Sequence, residues 1–261
     1  MFRRLSGIAL AGLIGLSSGC GLLPETKDET ADWSAQKLYS EARSNLNDGN
    51  YGQAVKYYET LEARYPFGKY AQQAQLEIAY AYYKDDEPDS AIAALDRFIK
   101  LNPRSPNIDY AYYLKGLVSY NRGLGPVERY LPLDPAERDP GSTLQAFEDF
   151  SELVRLYPRS TYAGDAAQRM VYLRNNLAMH ELQVAEYYMT RKAYVAAVNR
   201  AKYVIENYQR TPAVPGALVL LATAYKHLGL TELSNDALRV LRTNYPDNPG
   251  IGEVERLAIE G

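Results

Sequence analysis

From Trp33 onward, apolar residues recur at helical spacing in paired stretches, and the two stretches of each pair are separated by a short polar turn. The first pair places Ala42 on its packing face, turns at Asp48-Gly49-Asn50, continues with Ala54, Tyr58 and Leu61, and stops at Pro66. The second pair repeats the arrangement with Ala79, Tyr82, Ala91, Leu95, Phe98 and Pro103, so that Ala54 to Ala91 and Pro66 to Pro103 are both steps of 37 residues. A third unit carries Gly116, Ala146, Phe150, Leu153 and Pro158, a fourth Ala185, Tyr188, Ala197, Ala201 and Val204, and a fifth Ala222, Tyr225, Ser234, Leu238, Leu241 and Pro246. In the fourth unit Gln209 stands where the stopping proline would be. Small residues recur because helices approach closely there, and prolines recur because they cannot continue a helix.

This register resembles the tetratricopeptide repeat. It predicts an all-α fold, a right-handed solenoid of five helix pairs whose first helices line a concave face. Two departures are expected. Residues 121–141 form an insertion too rich in proline and glycine for one helix, and an extra helix runs from about Gly164 to Asn176 before the fourth unit. The tail, 250–261, has apolar residues enough for a last turn or two that could cap the array or contact a partner. The expected organisation is a leader over 1–19, a tether over 20–32, repeats 1–3 over 33–158, the extra helix with repeats 4–5 over 159–249, and the tail.

The chain start changes the picture. Arg3 and Arg4 precede an apolar run, Leu5 to Gly19, of the length of a signal h-region and too short to span a bilayer. Export is the prediction. The run ends Leu16-Ser17-Ser18-Gly19-Cys20, which resembles the lipobox of bacterial lipoproteins, with Leu16 four places before the cysteine instead of the usual three. The resemblance implies that Cys20, the only cysteine, is acylated and becomes the first mature residue; a free thiol would be a reactive liability in an oxidising compartment. Three acyl chains anchor stably, and the absence of aspartate at Gly21 implies the outer membrane. The acidic stretch from Leu22 to Trp33 reads as a tether that reaches about 40 Å when extended.

Composition limits the function classes. Removal of the leader leaves 27 basic against 32 acidic residues, so no bulk basic field points to nucleic acid. His180 and His227 stand on separate units without carboxylate or cysteine neighbours at ligand spacing, so neither a metal nor a cofactor is expected, and no catalytic constellation is visible. A solenoid lytic transglycosylase would need a separate catalytic domain for which the repeats leave no room. The unusual number is 24 tyrosines against five phenylalanines and one tryptophan. Tyrosine offers a ring and a polar tip, which suits both helix packing and a recognition groove.

The register places a candidate groove on the inward positions of the first helices: Tyr39 and Arg43 in unit 1, Gln73, Tyr80 and Tyr83 in unit 2, and Tyr110, Tyr113 and Tyr120 in unit 3. Each of these rings could instead pack helix against helix. Phe67 and Tyr70 could rim the groove or stabilise their turn. In unit 4 the corresponding positions lack tyrosine, and Arg191, Lys192, Arg200 and Lys202 make a basic cluster, with Arg191 and Arg200 as candidate partner-binding residues.

Several segments go beyond a repeat consensus: RYPFGKYAQQAQLEIAYAYYK from Arg64, RFIKLNPRSPNIDYAYY from Arg97, DFSELVRLYPRSTYAGDAAQRM from Asp149, NNLAMHELQVAEYYMTRKAYVAAVNRA from Asn175, and Arg138-Asp139-Pro140. Together they resemble the BamD family of outer-membrane assembly lipoproteins over about Trp33 to Pro246. The resemblance implies a periplasm-facing, lipid-anchored scaffold that takes part in assembly and insertion of β-barrel proteins. It implies as partners the periplasmic domains of the barrel subunit, accessory assembly lipoproteins, unfolded β-barrel chains and, through acylated Cys20, outer-membrane lipid. Another lipid-anchored repeat scaffold, for pilus assembly or for docking envelope hydrolases and proteases, would share the lipobox and the solenoid.

Overall fold

The computed structural model describes residues 28–122, 124 and 139–257. Cys20, nearly all of the insertion and the end of the tail lie outside these residues. The described chain forms five helix pairs: α1 (Ala35–Asn47) with α2 (Tyr51–Arg64), α3 (Lys69–Lys84) with α4 (Pro88–Leu101), α5 (Ile108–Asn121) with α6 (Pro140–Leu156), α7 (Ala163–Thr190) with α8 (Tyr194–Asn207), and α9 (Ala213–His227) with α10 (Thr231–Asn244). A short α11 (Gly250–Arg256) follows and packs on α9. Each helix packs on the next along the whole chain, which makes a helical-repeat solenoid.

Local chemistry explains the boundaries. Ser34 caps α1 by accepting from the Lys37 amide at 3.2 Å, and Asp139 caps α6 by accepting from the Ser142 amide at 2.8 Å. Pro88 and Pro140 open α4 and α6, where their missing N–H costs nothing. The turn inside four of the pairs needs one residue in the left-handed region: Gly49 and Gly229 supply it freely, whereas Asp86 (φ 62°) and Lys192 (φ 57°) adopt it with a side chain. α8 ends at Asn207 without its proline, with the Tyr208 amide bonded to the Val204 carbonyl as in the proline-terminated units.

The small residues at repeat spacing are buried. Ala42, Ala54, Ala79, Ala91, Ala146, Ala185, Ala197 and Ala222 are fully covered. Gly116 takes the place of Ala42 and Ala79 because Phe150 presses on it: a Cβ there would lie 2.5 Å from the ring. Ser234 replaces alanine in unit 5, and its hydroxyl donates to the Ala222 carbonyl at 2.8 Å, so burial leaves it satisfied.

Two expectations are corrected. The segment 164–176 is helical but is not a separate element, because it runs unbroken into the first helix of unit 4 as the 28-residue α7. No glycine or proline interrupts it after Gly164, and Leu173, Leu177 and Leu182 keep one face buried throughout. The stretch 28–33 is also no free tether. Arg64 donates to Asp28 and to the carbonyl and hydroxyl oxygens of Thr30, Thr30 is buried, and Trp33 packs on Tyr57 at 5.4 Å. The chain is therefore fastened to α2 from Asp28 onward.

Candidate binding groove

The inward faces of α1, α3, α5 and the first half of α7 carry an almost continuous band of aromatic rings. Tyr39 packs against Tyr58 and Tyr70 at 5.7 and 5.3 Å, and Tyr80 against Tyr83 at 6.3 Å. Tyr110 meets Tyr162 at 5.6 Å, Tyr113 stacks on the same ring at 4.7 Å, and Tyr120 meets Tyr172 at 6.3 Å. None of the six predicted groove tyrosines is freely exposed: Tyr39 is 9% exposed and the others are half-buried. They therefore pack helix against helix while keeping part of each ring accessible.

Carboxylates organise the hydroxyls. Tyr39 donates to Glu77 Oε1 at 3.4 Å and accepts from Arg43 at 3.2 Å. Burial pushes the Glu77 carboxyl above its ordinary value, opposed by the Arg43 charge and the Tyr39 hydrogen bond. Burial, followed by nearby Tyr80 and Glu77, likewise pushes Tyr110 up. The Tyr58 hydroxyl, fully buried behind this group, has no hydrogen-bond partner among the described residues. Beside Glu77 opens a concavity of about 300 Å³ lined by Gln73, Leu76, Glu77, Tyr80, Asn107, Tyr110 and Tyr162. It combines apolar ring walls with amide and carboxylate groups that can pair with a peptide backbone.

A second network lies further along the band. Tyr113 donates to Asp165 Oδ2 at 2.8 Å, Arg169 Nε donates to the same oxygen at 2.6 Å, and the Arg169 guanidinium lies 5.0 Å from the Tyr120 ring centre. Burial opposes ionisation of Asp165, but hydrogen bonds from Arg169 and Tyr113 outweigh it and hold the carboxyl below the usual aspartate value. Burial and the hydrogen bond to Asp165 raise Tyr113. The Tyr83 hydroxyl accepts from Asn121 Nδ2 at 2.7 Å, tying α3 to the end of α5.

The structure thus brings Gln73, Tyr80 and Tyr110 to one concavity and links Tyr39 and Arg43 to it through Glu77. Tyr113 and Tyr120 belong to the Asp165–Arg169 network, and Tyr83 stands at the far end of α3. Sequence reasoning missed Glu77, Tyr162, Asp165, Arg169 and Tyr172. Glu77 was legible as a lone acid inside the apolar run of α3, whereas the α7 residues needed the fold to bring them to α5.

The second half differs. Arg200 on α8 pairs with Glu181 on α7 at 2.9 Å, and Arg191 at the end of α7 lies over the Tyr187 ring at 5.7 Å. Both arginines are exposed, Arg200 within α8 and Arg191 just past the end of α7. His227 stacks flat on Tyr194 at 4.6 Å. Among the described residues no group of three His, Cys, Asp or Glu side chains could hold a metal ion.

Comparison with known proteins identifies close relatives. The chain is 48% identical over 246 residues to the outer membrane protein assembly factor BamD of Neisseria meningitidis serogroup B, covering 93% of this chain and 92% of that protein. Proteins of the same name from Xylella fastidiosa (strain Temecula1) and Vibrio cholerae are 40% and 37% identical, covering 94% and 93% of this chain and 83% and 98% of theirs. A thermophilic tetratricopeptide-repeat protein of Thermus thermophilus superposes on 86% of this chain and 100% of its own with a TM-score of 0.36 and 15% identity. The family model YfiO, described as outer membrane lipoprotein, matches residues 31–241, nearly all of the described solenoid. The chain belongs to the YfiO family of outer membrane lipoproteins.

Proposed function

We propose that this protein is a non-catalytic scaffold of outer-membrane protein assembly, anchored to the outer membrane through acylated Cys20 and facing the periplasm, and that its first three units bind unfolded β-barrel chains. The observation that carries the groove assignment is the band from Tyr39 to Tyr172, in which ring surface and hydrogen-bonding groups alternate around the Glu77 concavity. A strand destined for a barrel alternates apolar or aromatic with polar side chains and has unpaired backbone groups, so its receptor must supply both kinds of contact. The relatives' shared name favours this role over a pilus or hydrolase adaptor.

The last two units, with exposed Arg191 and Arg200, dock on the periplasmic domains of the barrel subunit in this reading. Accessory assembly lipoproteins complete the set of partners. Photocrosslinking in living cells from Tyr80, Tyr113 and Arg200, with captured partners identified by mass spectrometry, tests the assignment. Unfolded β-barrel chains are expected at the two tyrosines and the barrel subunit at the arginine. Capture of pilus, hydrolase or protease components at all three would overturn it.

A further inference from the structure

The first three turns that join one helix pair to the next fall on one edge of the solenoid. Contacts across them establish this: the Tyr65 hydroxyl donates to the Trp33 carbonyl at 3.0 Å, Asn102 Nδ2 to Gln75 Oε1 at 2.7 Å, and the Ser160 hydroxyl to Asp109 Oδ2 at 2.7 Å. These bonds tie the turn at the end of a pair to the residue leading into α1, to the first half of α3 and to the first turn of α5.

This edge has a distinct composition. Its first three turns read Arg64-Tyr65-Pro66-Phe67-Gly68-Lys69, Lys100-Leu101-Asn102-Pro103-Arg104 and Arg155-Leu156-Tyr157-Pro158-Arg159, with six basic residues and no acidic one. Phe67 is 92% exposed and Leu101 59% exposed. No carboxylate among the described residues lies within ion-pairing distance of Lys69, Lys100, Arg104 or Arg159. The carboxylates nearby include Asp28, Asp109, Glu152 and Asp165, engaged by Arg64, Ser160, Arg155 and the Tyr113–Arg169 pair, and exposed Glu29 and Asp32 ahead of α1. The opposite edge is acidic in the same half, with Asp48 in the first turn and Asp85, Asp86, Glu87 and Asp89 in the second.

The lipid anchor leaves from the basic edge. Arg64 fastens Asp28 and Thr30 at the end of α2, and only the chain from Cys20 to Asp28 separates that clamp from the acylated residue. Fully extended, that chain reaches about 28 Å. Exposed rings and apolar side chains flanked by arginine and lysine suit a bilayer interface, where the ring enters the headgroup layer and the cations meet phosphate.

We propose that this edge is a membrane-docking face that seats on anionic phospholipid headgroups and holds the solenoid edge-on to the bilayer. The orientation rests on the acylation of Cys20 proposed above, whereas lipid binding by the edge does not. The test is therefore made on the full mature chain carrying Cys20→Ser, so that its failure is distinguishable from failure of the anchor reading.

Sedimentation with vesicles of phosphatidylglycerol and phosphatidylethanolamine, compared with phosphatidylcholine vesicles, should show preferential binding at low salt that fades as salt screens the headgroups. A basic residue at an anionic surface contributes about fivefold in partitioning, so Lys100→Glu, Arg104→Glu and Arg159→Glu together should reduce binding about a hundredfold. All three side chains are exposed, and an unchanged melting curve verifies that the variant is folded. In the same Cys20→Ser chain, an environment-sensitive fluorophore on Phe67→Cys should shift to the blue on anionic vesicles, and one on Asn47→Cys, on the acidic edge, should not. Equal binding to both vesicle types, unchanged binding of the triple variant, or equal shifts at both labels would overturn the proposal. So would a triple variant that keeps vesicle binding but loses capture of a protein partner, because the edge would then be a protein interface.

Discussion

The two halves of the solenoid use the same repeat to build different interiors. The buried apolar side chains of the last two units form one continuous aliphatic cluster of alanine, leucine and valine from α7 to α11, on which half-buried Tyr188, Tyr194, Tyr208, Tyr225 and Tyr245 pack. The first three units divide their core into smaller clusters that also bury Tyr39, Tyr58, Phe98 and Phe150, and the hydroxyls of Tyr39, Tyr113 and Tyr83 pair with Glu77, Asp165 and Asn121. An aliphatic core needs only matched volume, whereas rings with polar tips must also find hydrogen-bond partners. Under the proposed function, the same rings that stabilise the first half furnish its recognition surface. In the second half the proposed docking arginines lie outside a core cluster whose buried members are all aliphatic.

The sharpest way to break this comparison is to truncate one core residue in each half. Phe150→Ala, beneath Tyr113 and Tyr120, should lower stability by about 3–5 kcal/mol and also weaken binding of barrel-derived peptides. Leu241→Ala should cost about 2–5 kcal/mol and leave that binding intact in the fraction that remains folded. Urea denaturation together with peptide titration separates the two, and equal effects on binding would erase the distinction.

Gly116→Ala comes next. The added methyl meets the Phe150 ring, so a loss of about 1–3 kcal/mol is expected despite the better helix propensity of alanine. The measurement is a thermal melt, and a gain in stability would show that the ring yields easily.

Titration sharpens the comparison within the groove. Asp165 has a folded pKa below its unfolded value, so its contribution is present at neutral pH and is lost as pH falls through the folded value. Glu77 has the opposite sign: its folded pKa is raised, so stability declines as pH rises from the unfolded value through the folded one. At pH 7, Asp165→Asn should therefore lower the melting temperature. Glu77→Gln should hold or raise it, because the amide oxygen still accepts from Tyr39 and the charge is gone. Melting curves across the acid range distinguish the two, and the same direction of change for both variants would contradict the assignment.

The smallest stability effect is expected at the surface of the second half. Arg200→Glu should change stability by no more than about 0.5 kcal/mol, since its pair with Glu181 is exposed. It should still weaken co-purification with the barrel subunit. A large loss of stability would mean that Arg200 serves the fold and not the interface.

The repeat was legible in the sequence because its determinants are local. Ala42, Ala79 and Gly116 recur at 37-residue steps, and the stops at Pro66, Pro103, Pro158 and Pro246 mark where the second helices end. The tyrosine positions of the groove were legible as positions, but their partners were not. Tyr39 meets Glu77 across 38 residues and Tyr113 meets Asp165 across 52, separations at which no spacing rule operates. Reading Gly164 to Asn176 as a separate helix failed because each half of α7 looks complete, and only continuous burial along it joins them. The local contacts of Arg191 with the Tyr187 ring and of Arg200 with Glu181 were likewise not legible from the spacing of charges.

The sequence by itself determined the repeat register, the stops of most second helices, which positions must be small, and the family to which the chain belongs, because prolines and alanine spacing act over a few residues. Only the tertiary structure decided that Asp28 to Trp33 folds back on α2, that Glu77 and Asp165 organise the tyrosine hydroxyls, and that the basic turns share one edge with the start of the fold. The physical reason is that burial and hydrogen-bond partnership depend on neighbours brought from distant parts of the chain, and stacking of the units is what brings them.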